Sequence, residues 1–457
     1  MMTANERWGT FGLALLFALR MLGLFMVLPV LSVKANALEG TTGFTIGLAI
    51  GIYGLTQAIL QIPFGSWSDR FGRKPMIYIG LILFILGSLV CALADNIYVL
   101  IIGRAIQGAG AISAVVMALV SDITREEVRT TAMALIGASI GVAFAVALIV
   151  GPIVADHWGL SGLFFGVALL GLFGMFLLYR LVPSPSIVHS TAPKIMLHDL
   201  KMLTRRSDLL RLNFGIFILH MMLTALFVFL PQVLLETHQL KVADHWHVYF
   251  PVVAASFILM VPLIIWSEKR QASRTLLLGA ILLLGASFLT IRYVYIQWTG
   301  LFIGLLMFFV AFNILEASLP SIVSKLCPAG KRGSTMGLYS TSQFLGAFVG
   351  GSIGGLLYQN FDLETVLFIM AAITLLWWLV TLSLPPIKPA KTMSIALPAH
   401  LIGRDFPLVE AQLMRLPGVY DVDIQHQQKI ANLKVHPHIF AMSSLDDIQW
   451  NQNSAIS

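Results

Sequence analysis

The sequence predicts an all-α polytopic membrane protein, with twelve transmembrane helices in two six-helix pseudo-repeats followed by a small α/β unit. Three observations carry this. The 457 residues are 58% hydrophobic and 11% charged, with a mean hydropathy of +0.86, more apolar surface than one soluble core can hide. Apolar runs of roughly 20 residues recur along the chain, each long enough to cross a hydrocarbon layer about 30 Å thick as a helix. Loops at matching places in the two halves also repeat each other. The alternating short strands that a membrane β-barrel needs are not part of the pattern.

The spans lie near 8–31, 44–64, 76–94, 97–121, 131–155 and 160–182 in the first half, and near 209–235, 245–266, 275–297, 299–323, 334–358 and 363–384 in the second. The first run, Trp8 to Leu31, is too long for the apolar core of a signal peptide and reads as a span. Residues 1–182 then form one bundle, 183–207 a polar linker, 208–384 a second bundle, 385–393 a short linker and 394–457 a polar terminal unit. That unit reads as strand (SIALP), helix (FPLVEAQLMRLPG), strand (VYDVDIQH) and strand (KIANLKVHP), a βαββ order resembling a ferredoxin-like domain.

Orientation follows from lysine and arginine. One set of loops holds Arg70, Arg73 and Lys74, then Arg125 and Arg129, Lys269, Arg270 and Arg274, and Lys325, Lys331 and Arg332. The linker adds Lys194, Lys201, Arg205 and Arg206, while the opposite loops hold Lys34 and Lys241. The asymmetry predicts that both termini are cytoplasmic. The net charge of +7 is spread among spans and suits loops facing anionic lipid, not a nucleic-acid surface. Cys91 and Cys327 have neither metal spacing nor a disulfide framework. His426, His436 and His438 lack a Cys-x-x-Cys partner, so no metal site is expected. No Gly-x-x-x-x-Gly-Lys-Ser/Thr loop is present, which argues against an ATP-driven pump and for an ion gradient, with no cofactor.

The repeat is legible in two loops. IPFGSWSDR (62–70) lines up with VPLIIWSEK (261–269), and VRTTAMAL (128–135) with KRGSTMGL (331–338). Parallel repeats of this kind place a working site between the halves near the bilayer midplane.

Three motifs carry a family resemblance. Gly65-x-x-x-Asp69-Arg70-x-Gly72-Arg73-Lys74 resembles the major facilitator superfamily signature between the second and third spans. Arg104-x-x-Gln107-Gly108 resembles its fourth-span motif, and MLGLFMVLPVL (21–31) the first-span motif of the twelve-helix drug:proton antiporters. The fifth-span antiporter motif keeps Gly151-Pro152, a helix-packing pair, but has Ala147 and Ala155 where glycine is more usual. The resemblance implies a conformational latch in which Asp69 caps a helix of the other half, near Gly333–Gly337, and bonds Arg73, which also meets Asp122. Gly65 and Gly72 permit the tight turn, and Arg70, Lys74 and Arg129 complete the basic loops. Basic charge alone explains Arg70 and Lys74 through topology, but not Asp69, which opposes the orientation signal.

Charges inside spans are costly and functional by default. Arg104 matches a motif arginine that the family links to proton transfer. Glu316, in the tenth span, is the clearest acid at membrane depth, and His220, in the seventh, titrates near neutrality. The pair is the expected proton site. Arg20, Gln57, Gln61, Gln107, Asn213, Asn313 and Gln343 are expected to line a substrate cavity, although helix–helix hydrogen bonding is an equally simple role for each amide.

The expectation is a proton-coupled exporter of small, largely apolar compounds in a bacterial inner membrane. Its partners are substrate, protons and lipid, with self-association through an open sheet edge of the terminal unit. The alternatives are a sugar or metabolite symporter, a uniporter, or a membrane sensor that does not transport.

Overall fold

A computed structural model describes residues 2–183, 202–385, 390–398, 406–425, 429–436 and 439–445. Most of the polar linker, including Lys194 and Lys201, lies outside the described residues, as do His426 and His438.

The first span is broken into α1 (Ala4–Phe25) and α2 (Leu28–Lys34). Pro29 sits in the opening turn of α2, where its missing N–H costs nothing. The second and third spans are α3 (Gly43–Phe71) and α4 (Arg73–Ala92), joined at Gly72, whose φ of 96° a side chain would strain. The fourth span is α5 (Ile97–Ala109) and α6 (Ser113–Ile123), interrupted around Gly110. The fifth and sixth run together as α7 (Glu126–Arg180) and part at Gly159, with φ 66° and ψ −170°. The second half consists of α8 (Ser207–Glu236), α9 (Trp246–Lys269), α10 (Ser273–Val294), α11 (Trp298–Leu326), α12 (Arg332–Asn360) and α13 (Leu363–Leu382). These are the twelve expected spans. Ten stretches among the described residues are long and apolar enough to cross a membrane, one of which, Thr131–Arg180, contains two spans. The glycine- and serine-rich α12 is not among them.

The halves meet at the end of the molecule away from the basic loops. There α3 and α12 pack backbone against backbone. A Cβ built on Gly43 would touch Gly355 O, one on Gly47 would overlap Gly351 O, one on Gly51 would meet Phe348 O at 2.6 Å, and one on Gly54 would meet Phe344 O at 2.5 Å. The opposite face of α12 seats Gly346 and Gly350 against the main chain of Phe217 and Met221 in α8. Gln232 of α8 donates to Ser32 O of α2 across the halves at 2.5 Å. Within the first half, a Cβ on Gly151 would come 2.5 Å from Met26 O, so Gly151 and the neighbouring Pro152 let α7 press on the break between α1 and α2.

The terminal unit is βαββ, as expected: β1 (Lys391–Ala396), α14 (Phe406–Met414), β2 (Val419–Gln425) and β3 (Ile430–Val435). The sheet order is β1-β3-β2 with both pairings antiparallel, a split βαβ arrangement. The first strand starts at Lys391 instead of Ser394, because its ladder runs on to a Lys391–Val435 pair. Ala431, Leu433, Val422 and Ile424 form a small core with Phe406, Val409 and Leu413 of α14. Asn432 and Lys434, on the other face of β3, are buried as well. Burial holds the Lys434 ammonium below the ordinary lysine range.

Candidate functional site

The signature loop closes on itself. Arg73 is buried, and its Nη1 reaches Asp69 Oδ1 at 2.5 Å and Ser68 Oγ at 2.6 Å, while its Nε donates to Asp122 Oδ2 at 3.0 Å. Asp69 in the last turn of α3 and Arg73 at the first position of α4 meet because Gly72 turns the chain between the two helices. Lys74 donates to Val182 O at 2.5 Å, and Arg129 to Ser121 O at 3.2 Å, so both bind the first half's own main chain. Arg70 lies over the Phe71 ring at 5.4 Å.

The expected bond from Asp69 to the start of the eleventh helix is not formed in this conformation. A Cβ on Gly333 would meet nothing within 4 Å, and one on Gly65 would meet Ala114 Cβ alone, at 3.8 Å. The reason is geometric: the halves touch along the opposite end, and the basic end stands apart. Sequence reasoning also missed Glu6. Its carboxylate takes the Arg125 guanidinium at 2.9 and 3.1 Å and the Arg125 N–H at 3.0 Å, while completing a capping box with Thr3. The Thr3-x-x-Glu6 spacing is the signal that was available.

In the first half the expected cavity residues form a buried hub, in which Arg20 Nε and Arg104 Nη2 have no hydrogen-bond partner among the described residues. Arg20 donates to Tyr53 Oη at 2.9 Å, Gln57 Oε1 at 2.8 Å, Gly110 O at 2.8 Å and Ser113 Oγ at 3.1 Å. Gly110 O, at the break in the fourth span, also accepts the Ile112 N–H at 2.8 Å, so the arginine takes its second lone pair. Arg104 donates to Ala49 O at 3.2 Å and Gln107 Oε1 at 2.5 Å, and its guanidinium lies 5.0 Å from the Tyr53 ring centroid. Gln107 continues to Ser88 Oγ at 2.8 Å, and Gln57 to Gln61 Oε1 at 3.3 Å. Arg20, Arg104, Gln57, Gln61 and Gln107 are at most 3% exposed, so in this conformation they bind one another and line no open surface. Asn313 likewise spends its amide on Ser256 Oγ at 2.8 Å, and Asn213 is buried in α8.

The second half is different. Gln343 Nε2 lies 2.8 Å from His220 Nε2 and 3.4 Å from Glu316 Oε1. His220 Nδ1 sits 3.3 Å from Ile216 O. The tautomer that donates there leaves Nε2 as the acceptor of the Gln343 amide. Glu316 Oε2 stands 3.8 Å from the ring and has no hydrogen-bond partner among the described residues. The Tyr339 hydroxyl, one helical turn before Gln343, is buried and similarly unspent. Glu316 is 40% exposed. Gln343 directly precedes Phe344, where the glycine seam ends, so this triad sits where the two halves begin to separate.

Comparison with known proteins agrees with this architecture. A family model described as Major Facilitator Superfamily matches residues 13–351 and 212–419. The chain is 41% identical over 435 residues to "Inner membrane transport protein YajR" of Escherichia coli (strain K12), covering 95% of each chain. It is 28% identical over 346 residues to "Multidrug resistance protein MdtH" of Yersinia pestis (strain Pestoides F), covering 74% of this chain and 84% of that one. Among solved structures, a D-xylose-proton symporter superposes with a TM-score of 0.67 at 16% identity, covering 84% of this chain and 97% of the other. An inward-facing bacterial homolog of the lysosomal transporter Spinster gives 0.65 at 15%, covering 83% and 98%. Likeness at that identity speaks for the fold. The family model and the 41% relative speak for descent, and with twelve spans in two halves they place the chain in the major facilitator superfamily, as a multi-pass membrane transporter resembling YajR.

Proposed function

We propose that the chain is a proton-coupled exporter of small, largely apolar compounds that works by alternating access, with its basic loops and both termini in the cytoplasm of a bacterial cell. The observation that carries the reading is the His220–Gln343–Glu316 triad, a titratable pair joined by one amide at the edge of the seam between the halves. Protonation of His220 Nε2 would place two donors face to face at 2.8 Å. The Gln343 amide would then have to turn, or Glu316 to close directly on the ring. A proton therefore has two discrete arrangements to choose between. The signature loop supports the second element of the reading. Asp69, Arg73 and Asp122 are pre-assembled, so Asp69 is held ready to cap the eleventh helix when the basic end closes. The two relatives described as transport and multidrug-resistance proteins favour small-molecule export. Self-association would use the edge of β1 away from β3.

Proton release on addition of compound, followed by pH in unbuffered detergent solution across a panel of apolar compounds, tests the coupling. Wild type is expected to release protons and Glu316→Gln to lose the release. Equal release by both excludes Glu316 as the carrier. Flux against an imposed pH gradient in proteoliposomes distinguishes export from symport, and an absence of flux for every compound favours the sensor.

A further inference from the structure

The terminal unit is not a free appendage. Its sheet has one apolar face, covered by α14, and one polar face that carries Asp421 and Asp423 on β2 opposite Lys434 and Asn432 on β3. The polar face is seated on the loop between α11 and α12. Asp421 Oδ2 accepts the Ala329 N–H at 2.8 Å, and Lys434 Nζ donates to Cys327 O at 2.6 Å. Gly330 has φ +69°, and a Cβ there would lie 2.7 Å from Asp423 Cγ and 3.2 Å from Asp423 Cβ. The loop is therefore moulded to the sheet at three main-chain positions, Cys327, Ala329 and Gly330. Arg206, ahead of α8, also feels the Asp421 carboxylate. The three loop contacts are to the second half, and Arg206 belongs to the linker that leads into it.

The place of the contact matters. Ala329 lies two residues before Lys331, the N-cap of α12, and α12 is the helix whose first turn Asp69 would cap. A helix N-terminus attracts carboxylate, and two carboxylates competing for one terminus repel each other. Here the terminal unit brings Asp421 to the Ala329 N–H and Asp423 against Gly330, the two residues just ahead of that end, while the N-cap Lys331 has no side-chain cap and the signature loop stands away.

We propose that the terminal unit is an autoinhibitory clamp: docked on residues 327–330 it holds two carboxylates just ahead of the eleventh helix, and their charge repels Asp69 from that helix end, holding the basic end open. The inference rests on the latch reading of Asp69. Undocking of the sheet frees the loop and lets the latch engage, so whatever binds the polar face of the sheet switches the transporter toward closure of the basic end.

The test uses the full chain in nanodiscs, with Cys91 and Cys327 replaced by serine and spin labels on exposed Arg180 and Arg270 at the basic end of each half. Lys434→Met and Asp421→Asn are expected to raise the ratio of closed to open basic-end distances about fivefold or more, the lower bound of typical coupling between sites. An unchanged distance distribution in both variants overturns the proposal. Asp69→Asn added to Lys434→Met is expected to cancel the gain. A gain that survives without Asp69 refutes competition for the helix end, and with it the proposal. Asp69→Asn alone, in the otherwise wild-type background, reports on the latch reading separately. A covalent lock gives a second measurement: in Gly330→Cys/Asp423→Cys, the closed basic-end population is expected to fall when the pair is oxidised and to return on reduction. Identical distance distributions in the two forms count against the clamp.

Discussion

The seam between α3 and α12 offers the sharpest test of how the halves are held. Gly47→Ala adds one methyl where the structure has no room: the new Cβ overlaps Gly351 O and lies 2.9 Å from Gly351 C and Gly355 Cα. These are main-chain atoms of a helix already pressed on its other side against Phe217 and Met221 of α8, so α12 cannot step back. Overpacking of this kind costs about 1–3 kcal/mol. The contact exists only while the far end is closed, so the cost falls on that conformation alone. A penalty of about 1–3 kcal/mol changes the ratio of the two conformations by roughly 5–150-fold in favour of an open far end. Spin labels at Glu39 and Gln297, exposed at the far end of each half, read the change as a longer distance, and labels at Arg180 and Arg270 read the converse shortening at the basic end. Gly137→Ala is the control, because a Cβ there meets nothing within 4 Å. If Gly47→Ala keeps the wild-type distributions at both ends while remaining folded, the seam does not hold the far end shut and the reasoning fails.

Other outcomes follow from the same contacts. Arg73→Met strips Asp69 and Asp122 of their shared cation, at about 1.5–3 kcal/mol for each charge-assisted bond lost, and is expected to lower the thermal midpoint and abolish closure of the basic end. Retained closure by label distances would contradict the latch. Glu6→Gln weakens the tie between the start of α1 and Arg125, and faster hydrogen exchange confined to the first turn of α1 and the loop at Arg125 is the expected reading. Gln343→Leu removes the amide between His220 and Glu316 and is expected to uncouple substrate flux from proton release in proteoliposomes, whereas wild-type stoichiometry would show the amide to be dispensable.

Depth in the membrane was legible from the sequence, but facing direction was not. Apolar runs located most spans because hydropathy counts residues, whereas the glycine- and serine-rich α12 is not apolar enough to stand out by that measure, and the pairing of Asp69 with Arg73 came from the family resemblance. Arg20, Gln57 and Gln107 stand at membrane depth as anticipated, yet they turn inward on Tyr53, Ser113 and Ser88 instead of toward a cavity. A helix read one residue at a time shows that a polar group needs partners, not which neighbour supplies them. The seam was hidden for the same reason. Gly43, Gly47 and Gly51 repeat at small-xxx-small spacing, as do Gly346, Gly350 and Gly354. The spacing becomes a gate only when two such helices are known to face each other across the halves. The split of the first span was masked because Pro29 sits inside an unbroken apolar run.

Seam and triad are linked by one helix. Gln343 and Phe344 are consecutive on α12, and the turn that carries Tyr339 and Gln343 leads directly into the stretch pressed on Gly54, Gly51 and Gly47. On the other side, Gln57 of the Arg20 hub is one turn beyond Gly54 on α3. Both polar clusters therefore flank the same boundary, where close main-chain packing gives way to separated halves. A change in the Gln343 amide on proton binding acts at the last residue before that packing begins, and a packed interface of this kind has discrete arrangements instead of a continuous range. The first-half hub gives its two arginines neutral ligands, with Arg20 Nε and Arg104 Nη2 left without a hydrogen-bond partner among the described residues. Under the proposed coupling, His220 and Glu316 in the second half carry the proton, and α12 shifts against the first half.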